Sequence, residues 1–279
     1  MQKAFDIIAQ NSAKANPAAE GDYIGEDGLL YCGKCGEKKQ AHIKTTIIDR
    51  VVFVACACKR EGERRMREAQ ERMDAQNKIK ELRRRGITST EGYRQTFDND
   101  NGSNPGFMRT CRRYVERWEY VYKNNIGLLV YGGVGTGKSF GACCIANALI
   151  DKGIPAMVTS LPRLITAMRT DDTGETLRDI ERSALVVIDD FGVERATSYG
   201  LECTFEVIDT RANSGKPLII TTNLALQDFH GGGIEIRRIY DRILGMCTAV
   251  KCDGDSKRRG EYAKRAAGIL ATQEENKWE

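Results

Sequence analysis

The chain has 279 residues, of which 41% are apolar and 29% are charged, and its formal net charge is +4. This length suits one medium-sized domain and a smaller one, and the apolar content is enough for a buried core. No stretch is long and apolar enough to predict a membrane-spanning helix, and so mild a positive charge identifies no partner by itself.

The N-terminal stretch MQKAFDIIAQNSAK has neither the apolar segment nor the cleavage site that is typical of a signal peptide. We therefore expect a cytoplasmic location and no membrane partner. The ten cysteines should then be reduced, so a cluster among them indicates a metal site rather than disulfides.

The first 90 residues predict a small front region that leads into a basic helix. Residues 1–20 favour a short helix, 21–36 are rich in turn-forming residues, and 45–58 are rich in β-branched residues and predict a strand. Residues 59–86 contain no proline and carry 11 basic and 6 acidic side chains, a surplus of five positive charges. We place an N-terminal domain at 1–60 and a basic helical linker at 61–90.

Residues 99–106 are a loop by composition, and from residue 107 onward helical stretches alternate with short apolar strands. The predicted strands are 127–131, 155–159, 184–188, 217–222 and 246–251. The helices between them are 137–152, 161–182 with a break at 171–174, and 195–213. Continuous apolar strands separated by helices predict an α/β fold with a parallel sheet covered on both faces. We assign this domain to 91–262 and a C-terminal tail to 263–279.

The stretch GGVGTGKS at 132–139 fits the pattern GxxxxGK[ST], follows an apolar strand and opens a helix. Its glycines allow successive N–H groups to point at phosphate oxygens, and the helix N-terminus adds positive charge. Lys138 is expected to reach the β- and γ-phosphates of ATP, and Ser139 to bind Mg²⁺. The residues predicted to surround the nucleotide are Gly132, Gly133, Val134, Gly135, Thr136, Gly137, Lys138, Ser139 and Phe140.

Two acidic residues, Asp189 and Asp190, end the apolar run LVVI at the C-terminal end of a predicted strand. Ligands bind at that end of the strands in open parallel sheets. Asp189 is predicted to hold Mg²⁺, and Asp190 to orient the attacking water. Related ATPases often have glutamate at the second position, so the shorter aspartate leaves the catalytic strength open.

The strand PLIITT ends in polar residues, of which Asn223 or Thr222 could contact the γ-phosphate or its attacking water. Farther on, a helix predicted from the apolar spacing of IEIRRIYDRILGM carries Arg237, Arg238 and Arg242. A solvated basic helix face is the ordinary interpretation of these arginines. The alternative is an arginine presented to the γ-phosphate of a neighbouring subunit, which requires self-association.

The phosphate loop, the double acid, the polar strand end and the arginines of RRIYDRI and DSKRR together resemble an AAA+ ATPase. With almost no helical lid, residues 90–260 resemble the DnaC/DnaI-type helicase loaders and the related IstB-type transposition ATPases. The resemblance implies a five-stranded parallel sheet with flanking helices. It also implies that Asn223 is the first sensor, Arg242 the trans-acting arginine finger and Arg258 the second-sensor arginine.

Four cysteines form two close pairs, Cys32 with Cys35 and Cys56 with Cys58, separated by twenty residues. Two such pairs can supply four thiolates to a structural Zn²⁺ ion, and so small a segment needs a metal to fold firmly. Four small buried apolar residues are the alternative interpretation, and His42 is a substitute ligand of lower rank.

The resemblance implies that a front domain binds the replicative helicase, a DnaB-type hexamer, and that the ATPase core binds single-stranded DNA. Within the core, Arg163 and Arg169 are candidates for contact with DNA, and the stretch from Tyr93 to Phe97 lies where the base of ATP could pack.

The sequence and the resemblance therefore favour an ATP-dependent helicase loader of a bacterial cell or a phage, with ATP binding and hydrolysis as a switch for assembly and release. One alternative is a transposition helper that coats duplex DNA. Another is a zinc-dependent nucleic-acid-binding adaptor with a vestigial ATPase.

Overall fold

A computed structural model of the chain describes residues 17–46, 49–170, 173–192, 197–231 and 233–254. The chain divides into two compact units, Met1–Gln76 and Asn77–Glu279. None of the helices within the described residues is both long and apolar enough to cross a membrane.

The first unit contains two small antiparallel hairpins. Strands β1 (Tyr23–Ile24) and β2 (Leu30–Tyr31) form one, and β3 (Gln40–Lys44) and β4 (Asp49–Phe53) form the other. Between them lies a buried ion pair in which the Lys39 amine contacts the Asp22 carboxylate at 2.5 Å. This lysine holds the pKa of Asp22 down, at about 2. So small a unit has little apolar core, and polar contacts of this kind help to fix its turns.

The predicted strand at 45–58 extends beyond the observed strand β4 at both ends. Strand β3 ends just before residue 45 and β4 begins only at Asp49, and helix α1 (Ala57–Gly86) begins before residue 58. The start of α1 is set by Glu37, whose carboxylate accepts a hydrogen bond from the Ala57 N–H group at 2.7 Å. This contact joins residues twenty positions apart, so local sequence preference could not predict it.

Helix α1 has 30 residues and confirms the basic helix predicted at 59–86. Ion pairs three and four residues apart, such as Arg64 with Glu68 at 2.7 Å, stabilise its exposed faces. Of its apolar residues, Met66 and Met73 are exposed, whereas Ile79 and Leu82 pack against the core of the second unit. The apolar side chains of the helix are therefore partly buried only over its last turns.

The second unit consists of helices on both faces of one sheet. Its helices after α1 are α2 (Thr90–Arg94), α3 (Pro105–Glu116), α4 (Trp118–Lys123), α5 (Lys138–Asp151), α6 (Leu161–Thr170), α7 (Thr173–Arg182), α8 (Ser198–Asn213) and α9 (Ile234–Met246). Two 3-10 turns lie at Phe97–Asn99 and Leu226–His230.

Five parallel strands form the sheet, in the order β6-β7-β8-β5-β9. They are β5 (Gly127–Tyr131), β6 (Ala156–Ser160), β7 (Leu185–Phe191), β8 (Leu218–Thr222) and β9 (Cys247–Lys251). All five predicted strands are thus confirmed, and so is the predicted α/β class. Alternate residues of β5 enter two separate apolar layers, Leu128 and Val130 on one face and Leu129 on the other.

Arg211 on α8 is fully buried, although nothing in the local sequence predicts a buried charge. Its guanidinium donates hydrogen bonds to the backbone carbonyl oxygens of Ile180, Ser183, Ala184 and Pro217. Burial lowers the pKa of Arg211 to about 10. The side chain joins the end of α7 to the segments that enter β7 and β8, so it fixes the two strands whose far ends carry the site.

Candidate nucleotide site and cysteine cluster

The loop between β5 and α5 has the backbone conformation that its glycines allow. Gly132 and Gly137 have φ angles of 149° and 99°, which side chains rarely permit. A Cβ atom at Gly132 would lie 2.2 Å from the carbonyl oxygen of Cys252. The loop is therefore held tightly against the segment that follows β9.

Lys138 begins α5 and its side chain is almost fully buried. The amine donates hydrogen bonds to the carbonyl oxygens of Gly132 at 2.9 Å and Gly133 at 2.7 Å, and to Oδ1 of Asn223 at 2.8 Å. The structure thus brings together the predicted phosphate-binding lysine and the residue after β8.

Thr221, the penultimate residue of β8, contacts both acidic residues of β7. Its hydroxyl donates a hydrogen bond to Oδ1 of Asp189 at 2.5 Å and accepts one from the Asp190 N–H group at 3.0 Å. Asp190 has a φ angle of +53°, and the pairing of β7 with β8 is irregular between Ile188 and Phe191. Asp189 is half-buried, whereas Asp190, in the irregular part of the strand, is exposed.

Thr222, the last residue of β8, and Asn223, which follows it, have different surroundings. The Thr222 hydroxyl is buried, donates a hydrogen bond to the carbonyl oxygen of Phe191 and accepts one from the Leu224 N–H group. Asn223 is exposed and reaches Lys138. Of the two residues, Asn223 is the one that lines the pocket.

A pocket lies over the loop and includes a residue from the segment that follows α2. Its lining residues are Gln95, Val134, Gly135, Gly137, Lys138, Ser139, Phe140, Asp190 and Asn223. Tyr93 and Phe97 are not among them: the Tyr93 hydroxyl donates a hydrogen bond to the Arg83 carbonyl, and the Phe97 ring lies beneath Arg112. The predicted base-packing stretch thus contributes Gln95 to the pocket rather than its aromatic residues.

In the first unit, the sulfur atoms of Cys32, Cys35, Cys56 and Cys58 all lie within 4.8 Å of one another. Cys58 is 3.4 Å from Cys32 and 3.3 Å from Cys56. A regular tetrahedron of thiolates around zinc has sulfur atoms about 3.8 Å apart, from a Zn–S distance of about 2.3 Å. The cluster therefore has the size of a zinc site. His42 pairs with Asp49 instead and is not part of it.

Backbone N–H groups point at two of these sulfurs. Those of Cys35 and Lys34 lower the pKa of Cys32, and those of Cys58 and Glu37 lower the pKa of Cys35 to about 6. Contacts with Cys56 and Cys32 raise the pKa of Cys58 to about 12. Four sulfurs at this separation repel one another as thiolates, and a divalent cation would remove that repulsion. The donor set therefore fits zinc.

Residues 61–265, well over half of the chain, match the IstB-like ATP binding protein family. The chain belongs to the IstB-like ATP-binding protein family. It is similar to a putative ATP-binding protein of an insertion sequence in Mycobacterium tuberculosis. The two are 25% identical over 138 residues, which span 47% of this chain and 55% of that relative.

Two replicative helicase loaders are also similar to this family member. DnaI of Bacillus subtilis is 22% identical over 205 residues, which span 67% of this chain and 66% of DnaI. DnaC of Escherichia coli is 28% identical over 178 residues, which span 61% of this chain and 69% of DnaC. The chain thus spans 55% and 66% of the lengths of the mycobacterial relative and of DnaI.

The crystal structure of DnaI has the same fold as the second unit. It superposes with a TM-score of 0.52 at 21% identity and covers 61% of this chain and 94% of that chain. The expected AAA+ P-loop fold, a five-stranded parallel sheet with flanking helices, is therefore confirmed for this IstB-like protein.

The predicted arginine finger, Arg242, lies on α9 and is paired within its own subunit. Its guanidinium contacts Oδ1 of Asp209 at 2.8 Å and lies 4.6 Å from the centre of the Phe205 ring. Arg258, the predicted second sensor, lies outside the described residues. Of the DNA candidates, Arg163 donates a hydrogen bond to the Thr88 hydroxyl and Arg169 lies 5.2 Å from the centre of the Tyr199 ring.

Thr221 was not singled out from the sequence, although a signal for it was present. Side chains alternate along a strand, so Thr221 and Thr222 must face opposite sides. Gln95 lies within the stretch from Tyr93 to Phe97 that was predicted to pack near the base of ATP, but nothing in the sequence distinguished it from its neighbours, because its place in the pocket depends on how this segment packs against α5.

Proposed function

We propose that this IstB-like protein is an ATPase that loads a replicative helicase, with ATP binding and hydrolysis as its switch for assembly and release. The observation that carries the ATPase proposal is that Lys138, Asn223 and Asp190 line one pocket, with Asp189 next to Asp190 and held by the Thr221 hydroxyl. Phosphoryl transfer depends mainly on positioning and charge stabilisation, which these groups can supply.

Each group has a role that suits its position. The Lys138 amine exchanges its contacts with loop carbonyls for the β- and γ-phosphates of ATP, which frees Asn223 for the γ-phosphate end. Ser139 and Asp189 would hold Mg²⁺, which would neutralise charge on the phosphates. Asp190, exposed at the bulge of β7, orients the attacking water.

The loader role is supported by similarity to the replicative helicase loaders DnaI and DnaC. It is also supported by the separate first unit, whose four cysteines suit a zinc-stabilised docking domain for a helicase hexamer of the DnaB type. Single-stranded DNA would bind to the ATPase unit, with Arg163 and Arg169 as its phosphate contacts. Association between ATPase units would complete the active site through Arg242.

A transposition helper is the second candidate, because the mycobacterial relative belongs to an insertion sequence. Such a protein would assemble on duplex DNA in the presence of ATP. The third candidate, an adaptor with a vestigial ATPase, depends on the short side chain of Asp190 and predicts no phosphate release with any DNA.

The first experiment is co-purification of this protein with the replicative helicase of its host, with and without ATP. The loader proposal predicts a stable complex whose release follows ATP hydrolysis. Lys138→Ala should abolish ATP binding, because the amine is the phosphate-facing cation of the pocket. Lys123→Ala is the matched control, since Lys123 is exposed at the end of α4 and outside the pocket lining.

Phosphate release with single-stranded and duplex DNA separates the candidates. Stimulation by single-stranded DNA, together with the helicase complex, supports the loader. ATP-dependent filaments on duplex DNA without a helicase complex would instead assign the protein to the transposition helpers. Unaltered ATP binding by the Lys138→Ala variant would contradict the site itself.

A further inference from the structure

Residues 92–95, which we call the 92–95 turn, are the last turn of α2 and Gln95, the residue that follows the helix and reaches the nucleotide pocket. Ser89 caps α2, and its hydroxyl accepts a hydrogen bond from the Gly92 N–H group at 3.0 Å. Before α2, Ile87 forms a parallel bridge with Val158 on β6. After the turn begins, Gln95 lines the pocket together with residues of the phosphate loop. The position of this turn therefore shapes the pocket.

A single buried side chain, that of Asn147 on α5, holds the 92–95 turn. Its amide nitrogen donates hydrogen bonds to the carbonyl oxygens of Gly92 at 2.8 Å and Gln95 at 3.0 Å, and contacts that of Cys143 at 3.2 Å. Asn147 is 1% exposed. The turn is thus tied at both its first and its last residue to the helix that begins with Lys138.

The other polar atom of this amide indicates why an asparagine occupies the position. Within the part of the chain that the structure describes, Oδ1 of Asn147 is buried and has no hydrogen-bond partner. A buried acceptor without a partner is unfavourable, and an apolar side chain of similar size would avoid that cost. Packing alone would favour an apolar side chain at this position. The two hydrogen bonds that the Asn147 amide nitrogen donates to the 92–95 turn therefore explain why the residue is polar.

Asn147 is too far along α5 to contact phosphates bound at Lys138. Nine residues separate the two positions, which corresponds to roughly 14 Å along a helix axis. Its effect on a nucleotide must therefore act through the 92–95 turn, at the part of the pocket away from the start of the helix.

We infer that Asn147 is a positioning residue for nucleotide recognition, which holds the 92–95 turn against the nucleoside part of ATP while the phosphate loop binds the triphosphate independently. This inference rests on the proposed binding of ATP. It separates the affinity for ATP into a phosphate contribution from the loop and a nucleoside contribution from the turn.

The test is calorimetric titration of the full-length protein with ATP and with inorganic tripolyphosphate. In the Asn147→Leu variant, the affinity for ATP should fall about tenfold, the loss expected for one well-placed polar contact. The affinity for tripolyphosphate should stay at its wild-type value. Asn147→Ala removes the same donors without adding bulk, and Asn213→Leu makes the same substitution at an exposed helical position.

A second measurement on the wild-type protein needs no variant. ATP should slow amide hydrogen exchange in the 92–95 turn, whereas tripolyphosphate should leave that exchange unchanged. An equal loss of affinity for both ligands in folded Asn147 variants, or equal exchange protection by both, would overturn the inference. The inference would also be overturned if the wild-type protein bound ATP no more tightly than tripolyphosphate. If the wild-type protein bound neither ligand, the proposed function itself would be wrong.

Discussion

At the scale of single residues, the arrangement of the candidate site depends on Thr221. Its hydroxyl donates to Asp189 and accepts from the backbone of Asp190. One hydroxyl thus contacts both the carboxylate that is proposed to hold Mg²⁺ and the irregular backbone that carries its neighbour. A hydrogen bond to a charged group contributes about 1.5–3 kcal/mol, which is enough to change a catalytic rate measurably.

We expect Thr221→Val to lower the rate of ATP hydrolysis by about tenfold or more, because each 1.4 kcal/mol of lost transition-state stabilisation costs about tenfold. The change keeps the volume of the side chain and removes only the hydroxyl. The measurement is steady-state phosphate release with saturating Mg²⁺ and ATP. Thr221→Ser retains the hydroxyl and is the control, so equal rates in the valine and serine variants would contradict the role of the hydroxyl.

At the scale of elements, helices α8 and α9 hold the predicted finger. Arg242 of α9 contacts Asp209 of α8 and lies over Phe205, and Arg238 lies 5.0 Å from the centre of the same ring. Arg242 is one third exposed, so its pairing with Asp209 is a weak surface interaction that a stronger phosphate contact could replace. The helix therefore presents an arginine that a neighbouring subunit could recruit.

We expect Arg242→Ala to leave ATP binding unchanged and to reduce hydrolysis by at least about tenfold where the wild-type protein self-associates, since arginine fingers contribute about 10³-fold or more elsewhere. ATP affinity and phosphate release are measured across protein concentrations. Arg237→Ala is the control, because Arg237 is exposed on the same helix. Hydrolysis that is independent of concentration in the wild-type protein, or unchanged in Arg242→Ala, would show that the finger assignment is wrong.

At the scale of the whole molecule, the chain combines two units that are stabilised in different ways. The second has two apolar layers around a parallel sheet, whereas the first has short hairpins, one buried ion pair and four converging thiols. The cysteine cluster lies at the start of α1, where Glu37 also contacts Ala57. A metal ion there would stabilise both the hairpins and the first turn of the helix.

We expect purified protein to contain one zinc ion per chain and Cys35→Ser to lose it. The first unit should then unfold at a lower temperature, while ATP affinity stays unchanged, because the pocket is built from residues of the second unit. Metal analysis, thermal unfolding and ATP titration measure the three effects. Lys34→Ser alters an exposed residue of the same turn and should keep the metal. Protein without metal, and equally stable in both variants, would contradict the zinc site.

The sequence by itself determined the sheet, the phosphate loop and the candidate ligands. These features are local patterns in the sequence. Short apolar runs predict buried strands. The glycine spacing with Lys138 predicts a phosphate loop, and Asp189 at a strand end predicts a ligand for Mg²⁺. The cysteine cluster was also predictable, because the cysteines form two closely spaced pairs in the sequence.

Only the tertiary structure decided the rest. The contacts of Thr221 with Asp189, of Asn147 with Gln95 and of Glu37 with Ala57 join residues 20 to 52 positions apart. Such contacts depend on how strands and helices pack, and packing is selected by the whole core rather than by neighbours in the chain. The sequence therefore determined which groups can bind phosphate and metal, and the fold decided which residues hold those groups in place.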